Sequence, residues 1–396
     1  MDNTQIDHTA PKKPPLSDIE QATGEPPAAI LDLDRWTLGE DYPAMMARLL
    51  DEIDQAVYDE TDNLKRIRSI VFPSIANHVG ISHAGLDRVD VSDIERTHHG
   101  LLFNGGVEAC DGTTMTHDTL PITITQIGVC LTSYHGQQGS YVHRIYRRDL
   151  RDQSGDPVDQ ALELLRRRGK REAVGVNSER DTYSTLFSRG IMAHAERALL
   201  LDRSDAVWRM GHGNPLPYEL MTGHWAHDPF FVDAALGLMR RLVEYERFVF
   251  VPSAPSRELM TLGQALRPRE YLILYSLEAR LRNMLDRGGY RGEARRKVTQ
   301  FVEDIGPQVV VGVYRASRMA PPNIFYAHRD HAQMAAFIAI ADSVLQMHRG
   351  FPMLIDIADQ LCSSAFGADP FVASVQQAYS QTGEPFRFLS ERETRR

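Results

Sequence analysis

Cysteine is scarce in this sequence, and long apolar runs are missing. The 396 residues include three cysteines, Cys110, Cys130 and Cys362, which lie far apart among apolar neighbours. Such a set predicts core thiols rather than a disulfide framework or a zinc knuckle. No apolar run reaches the roughly 18 to 20 residues that span a bilayer, and the first residues do not resemble a signal peptide. We therefore expect a soluble, cytoplasmic protein that does not enter a membrane.

The sequence also lacks a surplus of positive charge and the common nucleotide-binding motifs. Its net charge is −9, which excludes a protein that coats DNA through bulk electrostatics but not a nuclease. No Walker loop and no dinucleotide-binding glycine pattern occurs, so neither ATP hydrolysis by this chain alone nor NAD binding is expected. The absence of a G-x-S-x-G elbow removes the most common type of serine hydrolase.

The distribution of apolar residues predicts a mixed α/β protein with a helical N-terminal extension. Residues 1–30 are polar and rich in proline, which predicts a disordered arm. Apolar positions three and four apart from Tyr42 onward predict helices in an extension over residues 31–95. Residues 96–396 show predicted strands first and then strands alternating with helices, which predicts one domain with a mixed β-sheet flanked by helices.

Three local predictions bear on the site and on the sheet. Alternating and β-branched residues predict strands over residues 101–111, 122–134 and 141–150, joined as an antiparallel meander. Polar residues 113–120 are interpreted as the turn after the first of these strands. Further along the chain, residues 271–285 are interpreted as a helix.

The most informative motif is Asp111-Gly112-Thr113, a carboxylate at the predicted end of a strand. Metal-dependent hydrolases anchor divalent cations on such carboxylates. Asp-Gly is also a common hairpin turn, so the motif alone leaves both interpretations open.

Phosphodiester hydrolysis by a divalent metal needs ligands gathered from distant parts of the chain, because no single segment can surround the ion. Besides Asp111, three residues are candidates: Glu196 within a predicted long helix, His212 between two glycines after a short strand, and Asp359 in a helix-like segment. A surface glutamate, a turn histidine and a solvent-facing aspartate are the ordinary interpretations of these three residues.

Five segments resemble, in the same order, motifs of the NurA family of nucleases over roughly residues 100–395. They are Asp111-Gly112-Thr113, the helix with Glu196, the run His212-Gly213-Asn214-Pro215-Leu216, the strand Val311-Gly312-Val313-Tyr314 with Arg315 and Arg318 after it, and Gly350-Phe351-Pro352 through Ala358-Asp359. Each motif is weak alone, and their common order makes the resemblance moderately specific.

The resemblance implies an RNase H-like core in which Asp111, Glu196, His212 and Asp359 bind Mn²⁺ or Mg²⁺ and act in DNA cleavage. It implies that Arg315 and Arg318 face DNA phosphates. It also implies a homodimer that docks on a hexameric HerA-type ATPase, which pumps DNA during end processing or in phage defence.

The sequence departs from the family pattern at two of these positions. His212 replaces a second aspartate and Arg315 replaces a lysine. Losing a carboxylate is expected to weaken Mg²⁺ binding more than Mn²⁺ binding, because imidazole suits the softer ion. Two further hypotheses therefore remain open: a weakened or inactive adaptor that binds and regulates the ATPase ring, and a related enzyme that acts on RNA or nucleotides.

Overall fold

The structure is a computed structural model that describes most of the chain in two compact units, Met1–Leu64 and Lys65–Arg396. The described residues are 20, 22–36, 41–75, 84–119, 122–147, 156, 158–159, 162, 185–221, 229–253, 257–287 and 290–386. Most of the predicted disordered arm lies outside these residues. In the part of the chain that is described, no helix has the length and apolar character needed to cross a membrane.

The described residues of the first unit include helix α1 (Pro27–Leu31) and most of the long helix α2 (Tyr42–Arg66). The helix predicted to begin at Tyr42 is therefore confirmed. Helix α1 includes the last residues of the predicted disordered arm, so the prediction of disorder is wrong there. An ion pair of 2.6 Å between Arg48 and Glu25 connects α2 to the segment before α1.

Nine strands and ten further α-helices are described in the second unit. The strands are β1 (Gly85–Arg88), β2 (Val107–Thr119), β3 (Ile122–Ser133), β4 (Gly136–Arg147), β5 (Trp208–His212), β6 (Phe248–Val251), β7 (Glu270–Ser276), β8 (Val309–Arg315) and β9 (Asn323–His328). The helices are α3 (Phe72–Ile75), α4 (Val91–Thr97), α5 (Thr185–Asp202), α6 (Pro229–Tyr245), α7 (Arg257–Gln264), α8 (Glu278–Arg287), α9 (Gly292–Ile305), α10 (Ala332–Ser343), α11 (Met353–Phe366) and α12 (Ala368–Thr382).

The described strands form one mixed sheet in the order β1-β7-β8-β9-β6-β5-β2-β3-β4. Strands β2, β3 and β4 form the predicted antiparallel meander, whereas β2, β5 and β6 run parallel. Counted along the chain, these five strands are arranged 3-2-1-4-5 with the second strand antiparallel. The predicted mixed sheet flanked by helices is confirmed, and this strand order is compatible with an RNase H-like core.

Helices cover both faces of the sheet around β2. On one face, the Thr114 hydroxyl lies 3.1 Å from the Met192 sulfur of α5. On the other face, α10 and α11 pack through a core that contains Ala109, Ala336 and Ala358. The three cysteines are buried and free, as predicted. Because successive strand residues point to opposite faces, each residue of β2 faces one of these two helical layers.

The sequence predicted that strand β2 ends at Asp111, and that prediction is wrong. The strand continues through Gly112 to Thr119 and pairs with β3 along this whole length, so the turn predicted over residues 113–120 is wrong. Threonines in this stretch face the β-branched run at the start of β3, and such cross-strand pairs stabilise a hairpin. What ends beside Asp111 is the neighbouring strand β5, whose last residue is His212.

The helix predicted over residues 271–285 is also wrong in its first half. Residues 270–276 form strand β7, and helix α8 begins only at Glu278. Strand β7 lies between β1 and β8 and is buried through its first five residues. A short, continuously apolar run does not distinguish a buried strand from a buried helix by periodicity, which accounts for the error.

An ion pair between Glu270 and Arg68 fixes the start of β7, and we expect its loss to be measurable. The Glu270 carboxylate accepts from Arg68 Nη1 at 2.6 Å and from the backbone N–H of Arg267 at 2.6 Å. Burial alone would raise the pKa of Glu270, but these hydrogen bonds and the arginine charges lower it below the ordinary 4.5. We expect Glu270→Gln to lower the free energy of unfolding by about 2 kcal/mol at pH 7.

The pH dependence of this effect has a defined sign. A carboxylate with a lowered pKa in the folded protein stabilises it above the unfolded pKa, and this contribution is lost as the pH falls through the folded value. Urea unfolding of wild type and Glu270→Gln should therefore differ at pH 7 and converge in acid. The exposed pair between Glu278 and Arg282 provides a control, since Glu278→Gln should cost less than about 1 kcal/mol. Equal effects of the two variants at pH 7 would contradict the prediction.

Candidate active site

Asp111 and His212 lie side by side on the neighbouring parallel strands β2 and β5. The register pairs Cys110 with Gly211, so the next residues, Asp111 and His212, point to the same face of the sheet. His212 Nδ1 lies 3.3 Å from Asp111 Oδ1, and the backbone N–H of Gly112 donates to the same oxygen at 2.8 Å. Strand β5 ends here while β2 continues to Thr119, so β2 has no β5 partner beyond this pair.

The surroundings of His212 favour a protonated imidazole. Burial alone would lower the pKa of His212, but the hydrogen bond to Asp111 and the charges of Asp111, Glu196 and Asp359 raise it overall. The Asp111 side chain is almost fully buried, whereas a third of the His212 side chain is exposed. A carboxylate only accepts hydrogen bonds, so the imidazole carries its proton on Nδ1 in this contact.

Glu196 approaches β2 from the opposite side of the sheet. It lies on α5, and a Cβ built on Gly112 would lie 2.7 Å from Glu196 Oε1 and 2.7 Å from Met192 Cγ. Gly112 therefore leaves the space that the glutamate carboxylate uses beside the strand. Burial raises the pKa of Glu196 to about 7, the nearby Arg197 charge opposes this shift, and the Asp111 charge adds to it.

This close contact at Gly112 predicts the effect of a single methyl group. We expect Gly112→Ala to destabilise the protein by about 1 to 3 kcal/mol, because the new Cβ overlaps Glu196 and Met192. Gly237, within α6, has open space at the corresponding position, so Gly237→Ala should be neutral or slightly stabilising. Thermal unfolding of both variants checks the prediction, and an unchanged melting temperature for Gly112→Ala would contradict it.

Asp359 comes from α11, which lies on the same face of the sheet as Asp111 and His212. Burial and the charge of Asp111 raise the pKa of Asp359, and Ser363 Oγ donates to its carboxylate at 3.4 Å. Helix α11 packs closely on the meander, since a Cβ on Gly128 would lie 2.4 Å from the Phe366 ring. Asp359 is thus held within electrostatic reach of Asp111, with its side chain open to solvent.

A buried hydrogen-bond network fixes the start of α11. The carboxylate of Asp342, at the end of α10, accepts from the Tyr134 hydroxyl and from the backbone N–H of Leu354 at 2.8 Å. Leu354 lies in the first turn of α11, where a helix leaves backbone N–H groups without intrahelical partners. Asp342 therefore ties this helix, and with it Asp359, to the end of β3 beside Tyr134.

Arg315 and Arg318 are not brought to this cluster. Arg315 is the last residue of β8, and Arg318 follows it three residues later. Strand β8 lies four strands from β2, or roughly 19 Å at the usual strand spacing. The Arg315 guanidinium donates to the backbone carbonyls of Gln264 and Leu266 at 3.3 Å, and of Arg318 at 3.1 Å. Arg315 is thus engaged by the protein's own backbone, whereas the Arg318 side chain is exposed. A DNA contact by Arg318 stays a prediction.

Arg197 is a site residue that the sequence analysis missed. The residue is 1% exposed, and its guanidinium donates through Nη1 to Glu196 Oε2 at 3.0 Å. The remaining donors go to backbone carbonyls of α5 and of the loop after His212, those of Ala193, Asn214 and Pro215. The sequence offered no signal for this role, because an arginine next to a glutamate on a helix is usually exposed.

The kinds of side chain at this site suit a hard divalent cation. Carboxylate oxygens and an imidazole nitrogen are ligands for Mn²⁺, and carboxylates also suit Mg²⁺. Asp111 and Glu196 are buried acids; within the described part of the chain, Asp111 contacts His212 and Glu196 contacts Arg197. Among the described residues, however, no three His, Cys, Asp or Glu side chains converge as a ready-made metal site. An ion that keeps water and binds through one or two carboxylates fits this arrangement.

No model of a protein family matches this sequence, and no curated protein sequence does. Solved structures similar to this chain include the NurA nuclease from Sulfolobus solfataricus, with 10% identity, a TM-score of 0.44 and coverage of 85% of this chain and 98% of that one. A NurA structure with manganese has 8% identity, a TM-score of 0.43 and coverage of 84% and 98%. Endonuclease V from Ciona intestinalis in complex with DNA has 11% identity, a TM-score of 0.27 and coverage of 69% and 94%. The NurA family named from the sequence motifs is thus also the family of two of these structures.

Proposed function

We propose that this protein is a metal-dependent nuclease that hydrolyses DNA phosphodiester bonds, with Asp111, Glu196, His212 and Asp359 as its catalytic side chains. One observation carries the proposal. Asp111 and His212 are in contact where β5 ends beside β2, and the charge of Asp111 reaches Glu196 and Asp359, residues up to 248 positions away in the sequence. Burying several acids close together is costly, and pKa values shifted by such burial are typical of functional sites.

Mn²⁺ or Mg²⁺ is the cofactor that we propose, with Asp111 as the central ligand and with Asp359 and His212 on the same face. When bound, such an ion lowers the pKa of a water molecule and neutralises charge that develops on the phosphate. His212 orients the Asp111 carboxylate through its Nδ1 proton. The exposed side of Asp359 and the open end of the sheet leave room for a phosphate to approach.

We also propose that this protein works with partner proteins. The net charge of −9 disfavours tight binding of DNA by this chain alone, so another protein would hold and deliver the substrate. A hexameric HerA-type ATPase in the cytoplasm is the partner that the sequence resemblance implies, with this chain as a homodimer in DNA end processing or phage defence. The second candidate function, an inactive adaptor of that ATPase, is favoured by His212 in place of an aspartate.

A cleavage assay distinguishes these functions. The purified full chain is incubated with end-labelled linear single- and double-stranded DNA, and with RNA, in Mn²⁺, in Mg²⁺ or in EDTA. Each reaction is run alone and with any hexameric ATPase that a neighbouring gene encodes. We expect DNA cleavage in Mn²⁺ that exceeds cleavage in Mg²⁺ and disappears in EDTA. No cleavage under any condition, while the chain still binds the ATPase, would favour the adaptor. Cleavage of RNA alone would contradict DNA as the substrate.

A further inference from the structure

The segment Gly350-Phe351-Pro352, which carries one of the sequence motifs, lies directly before α11. Gly350 has a backbone φ of +59°, in the left-handed region that favours glycine. A Cβ at this position would also lie 2.4 Å from the Cβ of Ala320. The conformation of this segment therefore requires a glycine at its first position.

Hydrogen bonds to two neighbouring strands hold the backbone of Gly350 in place. Its carbonyl accepts from Nδ2 of Asn323 on β9 at 2.7 Å and from the hydroxyl of Tyr314 on β8 at 3.4 Å. Both donor residues are buried. The N–H of Gly350 donates to the carbonyl of Gln346 at 2.7 Å. The sheet therefore fixes the point at which the chain enters Phe351.

Phe351 packs its ring against the imidazole of His212. The two ring centroids lie 6.0 Å apart and the ring planes meet at 83°, an edge-to-face arrangement that is favourable for aromatic rings. Phe351 is buried and belongs to the core that also contains Met210 and Ala358. Met210 and His212 lie two residues apart on β5 and point to the same face of the sheet. The core on this face thus extends through Phe351 to the ring of His212.

The hydrogen bond to Asp111 is too weak to fix the ring of His212 alone. Its Nδ1–Oδ1 distance of 3.3 Å exceeds the usual range of about 2.7 to 3.2 Å. A third of the His212 side chain is exposed, so the solvent side does not restrain it. Within the described part of the chain, the other ring nitrogen, Nε2, has no hydrogen-bond partner. The contact with Phe351 therefore supplies the second restraint that a fixed ring orientation requires.

We infer that Phe351 is a positioning residue, which holds the His212 imidazole with Nδ1 toward Asp111 and leaves Nε2 for the substrate. This inference rests on the proposed function, in which His212 is one of the catalytic side chains. It gives the segment before α11 a role in the reaction, besides its role at the start of the helix that carries Asp359.

A double-mutant cycle separates positioning from a simple loss of packing. Phe351→Leu keeps an apolar side chain in the core but removes the ring that contacts His212. We expect it to lower kcat for DNA cleavage in Mn²⁺ by about tenfold and to change KM by less than about threefold, because a misplaced group slows the reaction without weakening substrate binding. In the His212→Gln background, Phe351→Leu should change the residual kcat by less than about twofold, since the residue through which it acts is gone.

The orientation of the imidazole tests the inference without any activity measurement. In crystals of the wild-type chain, we expect one conformer of His212, with its ring in contact with Asp111. In crystals of Phe351→Leu, we expect the ring in more than one orientation or turned away from Asp111. Phe351→Tyr keeps the aromatic ring and should retain the single conformer. Phe351→Met takes the place of Phe351→Leu if the leucine variant does not fold.

Phe371 provides the matched control. It is buried on α12, where its ring lies under the Arg144 guanidinium at 5.9 Å. Phe371→Leu should lower the melting temperature about as much as Phe351→Leu but leave kcat within about twofold of wild type.

Two results would overturn the inference. One is a single, unchanged conformer of His212 in Phe351→Leu, and the other is a loss of kcat in this variant that is equally large in the His212→Gln background. Both would leave the proposed nuclease function intact. A wild-type chain that cleaves no DNA would contradict the proposed function, while the conformers of His212 would still decide whether Phe351 positions the ring.

Discussion

Replacing Asp111 by asparagine is expected to reduce DNA cleavage in Mn²⁺ by at least about 10³-fold, the scale found when a group acting on the reacting centre is removed. The substitution keeps the shape of the side chain and still allows a contact with His212, but it removes the negative charge. Asp111 is the residue that acts on the other three, through its contact with His212 and its effect on the pKa of Glu196 and of Asp359. No other acid in the described part of the site takes this central place.

The helix that carries Asp359 supplies the matched control for this experiment. Asp356 lies about one turn earlier on α11 and accepts hydrogen bonds from Arg349 and Gln346. Asp356→Asn changes the charge of the chain by the same amount but should leave cleavage within about threefold of wild type. The measurement is the cleavage rate of wild type, Asp111→Asn and Asp356→Asn at equal Mn²⁺ concentration. Comparable activity of Asp111→Asn and wild type would show that the cluster is not the catalytic centre.

The sequence allowed the candidate residues to be named but not their arrangement. Asp111, Glu196, His212 and Asp359 emerged from the order of their motifs, and the structure brings Asp111 into contact with His212 and into electrostatic reach of Glu196 and Asp359. Which faces they occupy depends on strand register, which arises from pairings between residues about a hundred positions apart. The opposite orientation of Asp111 and Glu196 was therefore not accessible from local pattern.

The wrong predictions and the missed residue have a similar physical cause, since contacts with other parts of the chain override the local sequence pattern. The Asp-Gly pair at Asp111 favours a turn locally, but pairing with β3 overrides this preference and extends β2 to Thr119. Likewise, a run of apolar residues from Tyr271 is compatible with helix or strand until its neighbours β1 and β8 are known. Arg197 was missed because burial of a charged side chain depends on carbonyl groups supplied by a distant loop.

Replacing Asp342 by alanine is expected to lower the free energy of unfolding by about 3 kcal/mol. Asp342 is completely buried, and its loss leaves the Tyr134 hydroxyl and the Leu354 N–H without their acceptor. The buried start of α11 would then have an unpaired backbone donor. Urea unfolding at fixed pH measures the effect, and Asp304→Ala, which removes one partner of an exposed ion pair with Arg240, serves as the control. Equal losses in the two variants would contradict a structural role for the buried carboxylate.

Asp342 should also make the free energy of unfolding depend on pH, and the isosteric variant Asp342→Asn should remove this dependence. Burial raises the pKa of Asp342 from the ordinary 3.8 to about 6, although the hydrogen bonds from Tyr134 and Leu354 oppose the shift. Because the folded pKa lies above the unfolded one, this group favours the folded state fully below pH 3.8, and the benefit is lost as the pH rises through about 6. Relative to wild type, Asp342→Asn should therefore gain up to about 3 kcal/mol between pH 4 and pH 8. If the free energies of unfolding of the two proteins change in parallel over this range, the pKa of Asp342 is not raised by folding.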